Sequence, residues 1–323
     1  MKFYRKYLLI FVAALITGFI FHLALFYFNL GTPNTQEKYL NEWFEKKDAY
    51  AGSINGKKLF FISGSNTLFG VDTEKIEQSL HISTVNYGTH AGVKYYTLHR
   101  AKKYIHSGDI VILPLEYSFY IYHNNNIEKE YALYILGYDK TFFSNLTLYQ
   151  KFIFISQTDT IDLLKLAVRK YFPKAPNDSA YDAKYLNTNG DMTNYSTKKQ
   201  MTCEYMLTLI PDKVFKEAPL TPDSKEELTN FINYCHNNNI TLYSAWPNYL
   251  WRDKAFSEND LESIHTIEKF YREHNVEILG DYTDCLYDAD LGRYAKLYIT
   301  AFMFSKFLCR VFTPNFHSIL RKI

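Results

Sequence analysis

The sequence predicts an α/β protein built on a doubly wound, parallel five-stranded sheet, with a helical insertion and an N-terminal transmembrane helix. Three observations predict it. Short, uninterrupted apolar runs such as Leu59-Phe60-Phe61-Ile62 and Ile110-Val111-Ile112-Leu113 have the pattern of strands buried on both faces. Segments of helical spacing separate these runs, as parallel strands require, since each crossover needs a connection long enough for a helix. A nearly unbroken apolar stretch over residues 7–30 follows Lys2, Arg5 and Lys6.

The apolar stretch is long enough for the roughly 20 residues of a membrane helix. It is interrupted only by Thr17, Gly18, His22 and Asn29. Its basic flank is expected to stay cytoplasmic and to send the remainder outside, giving a single-pass cell-membrane protein with an extracytoplasmic domain. A cleavable signal peptide is the alternative; against it, the run exceeds the usual apolar core and no Ala-x-Ala site follows. His22 within the run reads as a neutral residue tolerated at the membrane interface. Residues 31–57 are polar and charged and read as a stalk, with a short amphipathic helix over 36–47; the α/β domain then covers 58–323.

Bulk properties narrow the partners. A chain of 323 residues holds ample core, and a formal net charge of +2 offers no basic surface for nucleic acid. Aromatic residues make up 18 % of the chain, with 29 Tyr and 25 Phe, side chains that suit wet grooves and membrane interfaces. Cys203, Cys235, Cys285 and Cys309 show no metal-ligand spacing, so neither a metal nor another cofactor is expected, and their pairing cannot be read from sequence.

The domain is expected to open with the strand 59–62, which runs into Ser63-Gly64-Ser65-Asn66. A small-residue turn between a buried strand and a helix presents a side chain at the carboxyl edge of the sheet, where α/β proteins bind ligands. Ser65 is best placed there. Capping of the next helix is its other reading. A helix over 72–80 follows with Asp72 as N-cap, then a strand over 83–86 ending in Asn86-Tyr87-Gly88-Thr89-His90-Ala91-Gly92. A helix over 95–105 and a strand over 109–115 come next, the latter closing on Glu116-Tyr117. Three consecutive strand ends thus line one edge, and Asn66, Asn86, His90, Glu116 and Tyr117 are expected around the pocket. His90 has a structural alternative as an ordinary loop residue, and Glu116 has one as a hydrogen-bond partner at its strand end.

This arrangement resembles the SGNH/GDSL hydrolase superfamily, which has a flavodoxin-like sheet, and in particular its membrane-anchored members linked to cell-surface polysaccharide modification. Ser63-Gly64-Ser65 stands where that family has its Gly-Asp-Ser block. The resemblance implies Ser65 as nucleophile and as one oxyanion donor, with the amide of Gly88 or Gly92 as another; the sequence does not decide between the two glycines. The family's third block carries an Asn donor. Here Pro114-Leu115-Glu116-Tyr117 puts a carboxylate in that place, which accepts hydrogen bonds and would repel an oxyanion.

Residues 120–215 break the alternation with aromatic-rich helical segments over 131–136, 146–155 and 161–171, read as an insertion or cap. The rhythm returns with a helix over 224–238, a strand over 240–245 leading into Trp246-Pro247-Asn248-Tyr249, a helix over 257–274 and a strand over 276–279. Trp246 joins the expected pocket. A final helix is expected over 294–312. The family's late Asp-x-x-His block, source of its general base, has no counterpart: no His lies between His274 and His317, and the pattern loses a short piece between Leu291 and Gly292. Two expectations follow from the resemblance. One is an esterase or O-acyltransferase acting on an exported polysaccharide. The other is a catalytically inactive scaffold or carbohydrate-binding protein working with envelope-biosynthesis proteins.

Overall fold

Five short strands pair in parallel in the order β2-β1-β3-β4-β6, with β1 at Lys58–Phe61, β2 at Ser83–Asn86, β3 at Ile110–Leu113, β4 at Thr241–Ala245 and β6 at Glu277–Leu279. The order and direction match the doubly wound sheet expected from sequence. A computed structural model describes residues 2–172, 182–193, 214–251 and 256–288. The expected helix over 294–312 and His317 lie outside the described residues. A separate parallel ladder joins β5 (Tyr249–Trp251) to β7 (Leu286–Asp288); three-residue strands have no readable period, and the sequence did not announce them.

Strands β1 and β3 are buried along their whole length because both faces are covered. On one face Leu59, Phe61, Ile110, Ile112 and Leu279 form a cluster to which Ile76, Leu80, Ile82, Tyr243 and Ala245 add their partly buried side chains. Alternate residues of a strand point to opposite faces, so Phe60 turns the other way, where its ring meets Tyr87 at 6.3 Å and Tyr87 meets Phe44 at 6.1 Å. At the amino end of the strands Asp109 accepts the amides of Lys58 (2.9 Å) and His106 (2.8 Å), and the buried Lys58 ammonium stands 3.7 Å from the same carboxylate.

The helices start where local chemistry tells them to. In α4 (Thr73–Leu80) the Asp72 carboxylate accepts the amide of Lys75, the predicted N-cap. Thr221 caps α11 (Pro222–Asn237), which has proline in its first turn, and Ser257 with Asp260 forms a reciprocal capping box on α12 (Glu258–Glu273). Leu228, Phe231, Ile232 and Cys235 form the buried face of α11, as the sequence spacing predicts.

The chain divides into two compact units. One comprises Met1–Asn41 with Asn124–Asp178, the other Glu42–His123 with Ser179–Ile323. The first is helical. It holds α1 (Lys2–Asn29), long and apolar enough from Tyr4 to Asn29 to cross a membrane, together with α7 (Lys129–Tyr138), α8 (Lys140–Asn145), α9 (Leu148–Ser156) and α10 (Thr160–Tyr171). Most of the expected insertion therefore groups with the N-terminal helix. The second unit holds the sheet, with α5 (Tyr96–Ala101) following β2 and α6 (Tyr117–Tyr120) following β3. Helix α2 (Lys38–Ser53) runs further than the 36–47 expected and buries Trp43, Phe44, Lys47 and Ala51.

Candidate active site at the sheet reversal

The chain leaves β1 for β2 on one side, then returns past β1 to build β3, β4 and β6 on the other. At such a reversal the loops after the two flanking strands diverge and leave a crevice beyond their carboxyl ends. The flanking strands here are β1 and β3, level with each other because Phe61 pairs with Ile112. Four residues beyond each of these stand Ser65 and Glu116.

Ser65 is the first residue of α3 (Ser65–Gly70), with Gly64 in the N-cap position and no side-chain cap of its own. The capping reading of Ser65 does not hold. Instead Glu116 reaches across from β3: its Oε1 accepts the amide of Asn66 at 2.8 Å and the Ser65 hydroxyl at 3.2 Å. Gly64 is what permits this approach. A Cβ at that position would lie 2.6 Å from Glu116 Oε1 and 2.9 Å from the Cα of Ala91 in the loop after β2. Asn66 Nδ2 in turn donates to the carbonyl of Asn248, in the loop after β4, at 3.1 Å. Ser65, Asn66 and Glu116 are all half-buried, so the loops after all four strands β1 to β4 meet around one partly accessible serine.

The two glycines both spend their amides locally. Gly88 N donates to Asn86 Oδ1 at 2.9 Å, and Gly92 N donates to His90 Nδ1 at 3.0 Å. Gly88 is also a packing glycine: a Cβ there would lie 2.5 Å from the Leu68 nitrogen in α3. Asn86 is fully buried, with Nδ2 donating to Thr67 O and to Asp191 Oδ1, both at 2.8 Å. It therefore supports α3 from below.

Tyr117 and Trp246 lie in an aromatic cluster beside Glu116. The Tyr117 ring meets Phe215 at 5.1 Å, Tyr249 at 5.6 Å and Trp246 at 6.5 Å, while Tyr282 closes on Trp246 at 6.2 Å. Tyr117 and Trp246 are buried, so they present little of their faces for stacking. A cavity of about 430 Å³ adjoins this cluster at Phe215 and runs along Lys216, Glu217 and the first turns of α12, including Ser257 and Asp260. None of the sequence-predicted site residues lines it.

Sequence reasoning missed the support under α3. Lys47 is fully buried and donates to Asn86 O at 2.7 Å and Gly190 O at 2.6 Å. Asp191 accepts the amide and hydroxyl of Thr73 at 2.9 and 2.8 Å besides the Asn86 amide. Burial pushes the Lys47 ammonium down to about 7, opposed by the Asp191 charge, and burial raises the Asp191 carboxyl. A signal for Lys47 existed: Leu40, Trp43, Phe44 and Ala51 form one helical stripe, and Lys47 sits inside it. Nothing local marked Asp191.

Chemically, the arrangement offers a hydroxyl bonded to an acceptor-only carboxylate. Serine is a weak nucleophile until a base takes its proton, and Glu116 is within hydrogen-bonding reach of it. The Cys235 thiol is no rival, being pushed up to about 12 by burial. Among the described residues no group of three His, Cys, Asp or Glu side chains is placed to hold a metal ion. Comparison of the chain with protein-family models, with curated proteins and with solved structures finds no match in any of the three.

Proposed function

We propose that this chain is a membrane-anchored, extracytoplasmic protein of SGNH-hydrolase type that transfers or removes acyl groups on a cell-surface polysaccharide, with Ser65 as nucleophile. The observation that carries this reading is the Ser65–Glu116 contact at the sheet reversal. In the reaction Ser65 Oγ bonds to the ester carbonyl carbon while its proton passes to Glu116. The newly neutral carboxyl no longer repels the oxyanion, and it returns the proton to the departing sugar oxygen as the ester C–O bond breaks. The acyl group left on Ser65 then passes to water or to another hydroxyl. The apolar helix α1 and its basic flank support the membrane location.

A second reading, an inactive scaffold or carbohydrate-binding protein of the same fold, is favoured by a specific observation. The Glu116 carboxylate already takes the Asn66 amide and the Ser65 hydroxyl, and the sequence lacks the Asp-x-x-His block. A fluorophosphonate probe on the full chain in detergent separates the two. The enzyme reading expects labelling that disappears in Ser65→Ala and falls about 100-fold in Glu116→Gln, the scale of lost general-base catalysis. Failure of the parent chain to label, with retained binding to acylated polysaccharide, leaves the inactive reading.

A further inference from the structure

Outside the sheet unit, the least expected surface is a row of bare apolar side chains on the insertion. On α10, Ile161, Leu164, Val168 and Tyr171 recur at intervals of three, four and three residues and share one face. All four are exposed, Ile161 at 66 %. On α9, Leu148 and Phe152 are also bare, Leu148 at 86 %. Each such side chain forgoes the stabilisation that burial would give. A contiguous apolar face of this kind marks an interaction site.

Its position along α1 says what covers it. The helical unit joins the insertion to α1 through His22, whose ring nitrogens bond Thr160 Oγ1 at 2.8 Å and Ile155 O at 3.2 Å, and through Asn29 Nδ2, which donates to Leu163 O at 3.0 Å. Phe26, fully buried, packs on Phe143 with ring centroids 5.2 Å apart. Counting about 20 residues of hydrocarbon from the basic flank at Lys6 brings α1 out of the bilayer near Phe26. His22 then lies about 6 Å inside the outer boundary, at 1.5 Å per residue. The end of α9 and the start of α10 are bonded to that level. Basic side chains border the α10 row, with Lys165 and Arg169 beside it and Lys170 over the Phe28 ring at 4.7 Å, suited to lipid phosphates.

We propose that the exposed apolar face of α9 and α10 beds into the outer interface of the same bilayer that α1 crosses, as a second, shallow membrane contact. This rests on reading α1 as a membrane span, and the test keeps the two apart. The chain's three tryptophans, Trp43, Trp246 and Trp251, all lie outside the helical unit, so a tryptophan introduced there is a separable reporter. Full-length Phe152→Trp, Val168→Trp and Ile16→Trp are reconstituted in vesicles of phosphatidylcholine and phosphatidylglycerol, with bromine near either the glycerol end or the methyl end of the acyl chains. Lipids brominated near the glycerol end are expected to remove about half of the added emission at 152 and 168, the depth of an interfacial helix face. Ile16→Trp is expected to be quenched by methyl-end bromines. No quenching at 152 and 168 with Ile16→Trp quenched overturns the second contact and leaves the anchor. Loss of quenching at Ile16→Trp as well overturns the anchor itself and the second contact with it.

Discussion

In the sheet unit a buried lysine and a buried aspartate share a filled hydrogen-bond network, whereas in the helical unit a buried glutamate has a carboxylate oxygen, Oε2, with no hydrogen-bond partner among the described residues. Lys47, Asn86 and Asp191 tie α2, the end of β2 and the 187–193 turn to α3, the helix that begins at Ser65. Met192 N adds a bond to Leu68 O at 3.1 Å. Glu37 makes a backbone bond from its amide to Asn34 Oδ1 at 2.8 Å, and burial with the nearby Glu130 raises its carboxyl to about 7. The difference teaches where rigidity has been built: under the candidate nucleophile the buried charged groups Lys47 and Asp191 are both hydrogen-bonded, and a displaced α3 would move Ser65 off Glu116.

The largest expected effect comes from breaking that network. Lys47→Met strands the carbonyls of Asn86 and Gly190 and leaves Asp191 without its cation, a loss of about 3 kcal/mol for an uncompensated buried charge. Hydrogen exchange on the full chain in detergent should show faster exchange in β1, β2 and α3, with α7–α10 unchanged. Equal acceleration in both units would erase the contrast. Adding Asp191→Asn should restore part of the loss, since the two side chains belong to one network.

Gly88→Ala is expected to act next in size. Its methyl would meet the Leu68 nitrogen at 2.5 Å and the Thr67 Cβ at 2.7 Å, and forced overpacking of this kind costs about 1–3 kcal/mol. The strain falls on α3, so fluorophosphonate labelling at Ser65, where present, should fall further than thermal stability does. Unchanged labelling alongside a lowered melting temperature would uncouple the packing of α3 from the serine.

The strands were legible because each is a short apolar run bounded by polar or small residues, and parallel pairing buries such runs on both faces. The place of Ser65 was legible for the same reason, since a Ser-Gly-Ser turn after β1 has few other places to go. The Ser65–Glu116 contact was only half legible. Sequence brings Glu116 to the same edge, but its reach depends on the register of β1 with β3 and on the space left by Gly64. From sequence Lys47 falls at the end of the amphipathic helix of a polar stalk, and its charge hides its place, although its neighbours at 43, 44 and 51 mark the buried face. Asp191 lies in a polar loop far from β2 in sequence, and only tertiary contact makes it a core residue.

The smallest expected effect tests the other side of the comparison, the under-satisfied glutamate. With Glu37 raised from 4.5 to about 7 in the folded chain, the unfolded chain loses its proton first as pH rises. Stability of the helical unit should therefore be highest below pH 4.5, fall between there and about 7, and stay level above. Lys47 works in the opposite sense: its folded value lies below the usual lysine value of 10.5, so the sheet unit should gain stability as pH rises from about 7 toward 9.5. Glu37→Gln removes the first slope and leaves the second. At pH 8 it should stabilise by about 1 kcal/mol, well below the full shift because an amide must still be buried in the carboxylate's place. Thermal unfolding of parent and variant across pH 4 to 9.5 checks this, and a parent curve with the same slope as the variant's between 4.5 and 7 would show that Glu37 ionises alike in the folded and unfolded chain.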